Sequence, residues 1–197
     1  MSQILSFSYL PEGNTPNADQ IRCNAFDYAK NTGESGVCLI LVTLQDTGKT
    51  VQVVANLSAK EASIVLPLFD WEKEYSFGTA FGLSDTVFII SETSDQAAMQ
   101  QARETFEKEW NLLFFTLNRE NAAIRGSWLD QKSGQWIPVS RSAEGAAAAA
   151  AVLHRDMITG TMESTIDQPG GLLEIGLRKE RGNVLGLSAG GPVEVRE

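Results

Sequence analysis

The chain has 197 residues, a formal net charge of −9 and an isoelectric point near 4.7, with 43% apolar and 21% charged residues. That length and apolar content suit one sizeable domain or two small ones with a real core, and exclude wholesale disorder. The acidity argues against a phosphate-backbone partner, which needs clustered Lys and Arg, so no nucleic-acid partner is expected.

The opening residues, "MSQILSFSYLPEG", carry no basic segment, and their apolar stretch is too short for a signal peptide. Nowhere does an apolar run reach the roughly 18 residues of a membrane-spanning helix. A cytoplasmic protein without a transmembrane segment is the expectation, with peripheral membrane contact and non-classical release left open. Cys23 and Cys38 are too few for a disulfide framework and read as reduced thiols.

In chain order, "ILSFSYL" (4–10) alternates and is closed by Pro11 and Gly13, which predicts a strand. Ile21, Ala25, Tyr28 and Ala29 have helical spacing and end at Asn31 and Gly33, which predicts a short helix. "GVCLILVTLQDTGKTVQVVANLS" reads as two β-branched strands around Asp46-Thr47-Gly48-Lys49, where Asp and Gly supply turn conformations. "SIVLPLF" and "TVFIISE" are further strands, with "YSFGTAFGLSD" a loop or edge strand between them.

Residues 93–121 predict one long amphipathic helix. Thr93 and Gln96 form a capping-box pattern, and Met99, Ala102, Phe106, Trp110, Leu113 and Leu117 recur at spacings of three and four. Beyond residue 122 the texture is again β: "AIRGSWLDQ" and "SGQWIPVSR" pair around a turn, followed by "DMITGTMEST", "GLLEIGLR" and "NVLGLS". The alanine-rich run 145–151 favours helix on propensity, yet between strands it also suits a strand or loop. The fold class expected is α+β, mostly antiparallel strands in a barrel or sandwich with the 93–121 helix, mainly β being the alternative. Residues 1–122 and 123–197 read as an α+β region and a β-rich region, either two subdomains or one domain.

Catalytic motifs fail on inspection. Gly186-Leu187-Ser188-Ala189-Gly190 matches a nucleophile elbow in form, but no Asp or His follows it. "DTGKT" lacks the glycine a phosphate loop needs at position 43. One histidine and two cysteines cannot build a zinc tetrad alone. No catalytic residue, cofactor or metal is therefore assigned, and the scarcity of general bases argues against an enzyme.

A hairpin centred on Lys132 sets Trp128 opposite Trp136, a shared-face aromatic pair that either plugs a core or floors a site. Residues 134–178 resemble one repeat of the cyanobacterial high-mannose agglutinins, through Gly134-Gln135-Trp136, Ser140-Arg141-Ser142, Ile158-Thr159-Gly160-Thr161-Met162 and Ile175-Gly176-Leu177-Arg178. That resemblance implies a non-enzymatic glycan-binding β-surface made by Trp128, Trp136, Arg141 and Arg178. Residues 38–67, with "LVTLQDTGKTVQVV" and "SIVLP", are similar to sea-anemone cytolysin β-sandwiches, which implies a membrane- or partner-engaging effector. A structural homo-oligomer subunit is the third expectation.

Overall fold

A computed structural model describes the backbone of residues 3–9, 37–44, 50–56 and 61–192, and the side chains of 65–190. The strands are β1 (Gln3–Tyr9), β2 (Val37–Leu44), β3 (Thr50–Asn56), β4 (Glu61–Leu66), β5 (Trp71–Tyr75), β6 (Gly78–Leu83), β7 (Thr86–Ser91), β8 (Asn111–Asn118), β9 (Ala123–Leu129), β10 (Trp136–Val139), β11 (Gly160–Ile166), β12 (Leu173–Glu180) and β13 (Asn183–Pro192). Two helices, α1 (Gln96–Phe106) and α2 (Ala143–Leu153), complete the described elements.

The strands form two sheets. One has the order β1-β2-β3-β4-β13-β12-β11, the other β10-β9-β8-β7-β6-β5. Pairing is antiparallel except for β1 with β2 and β7 with β8. The chain crosses between the sheets twice, from β4 to β5 and, through α2, from β10 to β11. Each sheet therefore contains strands from both sides of residue 122. The molecule is mostly β, as expected, and the strands expected at 4–10, 36–58, 63–69 and 86–92 are present as β1 to β4 and β7. The helix expected near residues 21–33, Cys23 and the turn at 46–49 lie outside the described residues, as does the Cys38 side chain.

The six-stranded sheet is buried on both faces. Phe88, Ile90, Leu113, Phe115 and Ile124 join the core that contains α2, whereas Val87, Ile89, Leu112, Phe114 and Leu129 join the one beneath α1. Successive side chains of a strand point to opposite faces, so "LLFF" feeds both cores in turn.

That arrangement corrects the expected 93–121 helix. Helix α1 begins at the N-cap Asp95, whose Oδ1 accepts the Ala97 N–H at 2.9 Å, and ends at Phe106. Residues 111–118 are a strand parallel to β7. A short continuous apolar run has no period of its own, and Leu113 and Leu117 happened to extend the helical stripe. Burial on both faces had removed the alternation that would have marked a strand.

Helix α2 lies between the two sheets. Ser142 caps it, its Oγ accepting the Gly145 N–H at 2.8 Å, and six alanines supply the strongest helix propensity. Ala146 to Ala150 are each 0% exposed, the pattern of a helix enclosed on every side. Small side chains let both sheets approach the helix axis. A β-carbon at Gly145 would lie 2.6 Å from Phe115 Cζ and 2.7 Å from Ser142 Oγ, so only glycine fits there.

Candidate functional site

The residues expected to form a ligand surface do not share one. In the β9–β10 hairpin Trp136 pairs with Leu129 and Ile137 with Trp128, so the two indoles project from opposite faces. Trp128 packs against the core around α2; Trp136 packs on the other side, edge-to-face with Phe114 at 6.2 Å. The turn sets this register. Asp130 accepts from the Lys132 and Ser133 N–H groups, and Gly134 adopts φ +66. The hairpin centre thus falls between Lys132 and Ser133, not on Lys132, and half a residue of offset moves one indole to the other face. Arg178 is exposed on β12 of the seven-stranded sheet, while Trp136 lies in the other sheet. Arg141 stands immediately before α2, beside Gly170 and Gly171.

What the fold does gather is a polar cluster at the start of α2. Ser142 is 0%, Glu144 1% and Gln168 6% exposed. Gln168 follows β11, and its Oε1 accepts the Ser142 N–H at 2.7 Å. Gln168 Nε2 is buried and has no hydrogen-bond partner. The loop carrying it is held from both ends: Gly170 N donates to Ser140 O at 2.6 Å, and Asp167 N to Ala122 O at 2.9 Å. At Gly170 a β-carbon would meet Ser140 O at 2.8 Å, so this loop and the segment leading into α2 touch backbone to backbone.

Burying polar groups costs free energy unless each finds a partner, and Glu144 is the one buried carboxyl among the described residues. The first turn of a helix favours negative charge, because its N–H groups and dipole point that way. The site therefore combines an anion-favouring helix end, a withdrawn carboxyl group, a hydroxyl and a spare amide donor.

None of the three residues was singled out by sequence reasoning. The available signal was one charged residue, Glu144, shortly before an alanine run and two positions after Ser142. Gln168 gave no signal, being 26 residues from the Ser142 it contacts.

Two other groups were tested. His154 Nε2 lies 2.5 Å from Ser164 Oγ, but Ser164 sits within strand β11 and no described carboxylate is hydrogen-bonded to the ring. The elbow-like residues 186–190 lie within β13, which continues as strand past the serine to Pro192, and this removes that reading. Among the described residues no group of three or more His, Cys, Asp or Glu could hold a metal ion, and no helix is long and apolar enough to cross a membrane.

No family model and no curated protein matches the chain. Among solved structures, a predicted epimerase from Pseudomonas aeruginosa aligns with a TM-score of 0.54 and 11% identity, over 84% of this chain and 67% of that one. A hydroxyproline epimerase from Agrobacterium vitis aligns at 0.49 and 9% identity, over 89% and 62%. A putative phenazine biosynthesis PhzC/PhzF protein from Clostridium difficile aligns at 0.47 and 10% identity, over 81% and 63%. The chain spans less than two thirds of the length of the latter two. What the predicted epimerase shares with this chain is the fold.

This likeness corrects the resemblances drawn from short motifs. The fold shared is that of the predicted epimerase, not an agglutinin barrel or a cytolysin sandwich. The agglutinin-like residues 134–178 are split between two sheets with α2 between them, and residues 38–67 are strands of the larger sheet. The glycan-binding surface and the pore-forming effector fall with those resemblances.

Proposed function

We propose that this protein is an isomerase of the epimerase type, which removes a proton from the carbon beside a substrate carboxylate and returns one to the opposite face. The observation that carries the reading is the buried cluster of Ser142, Glu144 and Gln168 at the start of a helix otherwise walled by alanine. The fold likeness to a predicted epimerase supports the same class.

In this reading the head of α2 receives the substrate carboxylate. Glu144 accepts the proton as the C–H bond breaks, and the electron pair moves toward the carboxylate to form an enolate. Helix N–H groups and Gln168 Nε2 stabilise that developing charge, as preorganised donors do in a site shielded from water. The Ser142 hydroxyl supplies the proton that forms the new C–H bond. Nothing is oxidised or reduced.

The test is deuterium uptake in D2O, followed by proton NMR across a panel of small amino and hydroxy acids. Uptake at the carbon next to the carboxylate is expected for at least one, with loss of about 100-fold or more in Glu144→Gln, the usual worth of a general base. Silence across the panel, or unchanged uptake in the variant, would overturn the assignment.

A further inference from the structure

At the other end of α2 the two sheets part to leave a cleft of about 250 Å³. Leu68, Phe69, Val184 and Leu187 give it an apolar lining, and Lys179, Arg155 and Glu72 bring charge to it. Lys179 is the one buried cation among the described residues, at 7% exposure.

Its ammonium donates to His154 O at 3.0 Å and Arg155 O at 3.3 Å, the carbonyls that end α2. An ammonium has three N–H donors, so these two bonds leave a third. No carboxylate of a described residue lies within 4.0 Å of it; the ion pairs at the cleft belong to Arg155. A desolvated charge calls for an opposite one. The carbonyls answer that demand in part, since helix C-termini carry only about half a unit of negative charge.

Arg155 does not compete with Lys179 for an anion. It is engaged by Glu74, lies 4.0 Å from Glu72 and donates to Thr79 Oγ1 at 2.6 Å. The remaining lining is mostly apolar, with Phe69 against Phe81 at 4.9 Å beside Leu68, Val184 and Leu187. A buried donor of positive charge within an apolar lining that includes the Phe69 ring defines a ligand of matching polarity.

We propose that the cleft at the C-terminal end of α2 binds a small aromatic carboxylate, its oxygens on Lys179 and its ring against Phe69. This site is separate from the cluster at the head of α2, so it stands or falls without the isomerase reading.

Benzoate and its neutral counterpart benzamide are the probes, used with the full chain in ligand-observed saturation-transfer NMR and in titrations of the Gly182 backbone amide signal, Gly182 lining the cleft. Benzoate is expected to bind and to shift that signal, while benzamide binds at least about tenfold more weakly, the difference expected when a charge-assisted bond is lost.

Glu72→Gln removes an exposed like charge from the rim without touching the core, and should tighten benzoate about two- to threefold at low salt. Lys179→Met should abolish the preference for benzoate over benzamide, with a thermal melt recording whether the fold survives. Equal binding of the two probes, no binding of benzoate at millimolar concentration, or an unchanged benzoate affinity in Glu72→Gln would overturn the proposal, whatever Lys179→Met does.

Discussion

Gly145 faces the Phe115 ring so closely that a β-carbon on it would fall 2.6 Å from Cζ. Two effects oppose each other when Gly145 is replaced by alanine. Helix propensity favours alanine by about 1 kcal/mol. Against that, the methyl group must displace a ring that is 1% exposed and packed on all sides, and overpacking of this kind costs about 1–3 kcal/mol. Steric conflict wins, and Gly145→Ala is expected to be destabilised by about 1–2 kcal/mol in urea unfolding. An unchanged or raised midpoint would mean that α2 does not touch β8 as described.

Ala148 reports on the space between the sheets. It is 0% exposed. Replacing it by glycine removes one methyl group and weakens the helix, at about 1–2 kcal/mol in all. Leucine instead adds three carbons where both sheets already press on the helix. Ala148→Leu is expected to be the worse of the two and to lose cooperative thermal unfolding. A leucine variant as stable as wild type would show that the helix lies at a surface.

Trp128 and Trp136 are neighbours across a hairpin but belong to different cores. Their truncations should therefore be nearly independent, with the Trp128→Ala/Trp136→Ala double variant additive within about 0.5 kcal/mol. A coupling above about 1 kcal/mol in that cycle would place the indoles in contact and refute the register.

The β9–β10 turn carries an acid-sensitive bond set. Ser133's hydroxyl, then the Lys132 N–H, holds the Asp130 carboxyl below its ordinary range. A carboxyl depressed on folding contributes stability that is fully present above its unfolded pKa, about 3.9, and fades as pH falls through the lower folded value. The amide signals of Lys132 and Ser133 should hold steady down to about pH 4 and shift below it. Asp130→Asn should flatten that titration. Amide shifts centred well above pH 4 would contradict the assignment.

Much of the local structure was legible. The segments on either side of Lys132 announced a hairpin turn, the β-branched runs announced β2 and β3, and the alanine run 145–151 favoured a helix on propensity. Each of these depends on residues within about four positions of one another, where dihedral preference and short hydrogen bonds decide. The candidate site was not legible, because its members meet only in three dimensions: Ser142 and Gln168 are joined by a bond that spans 26 residues.

Sequence alone determined that the segments of β1 to β4 and β7 are extended, that a turn separates the two tryptophan-bearing strands, and that residues 145–151 favour a helix on propensity. Tertiary structure decided that "NLLFF" is a strand, since a sheet covered on both faces shows no polar alternation to mark it. It also decided that the alanine helix is the innermost element, since only a neighbour on every side distinguishes a buried helix from an exposed one of the same propensity. Finally, it decided which way each indole points, because a strand's faces exchange with every residue and the Asp130 turn sets the register by half of one.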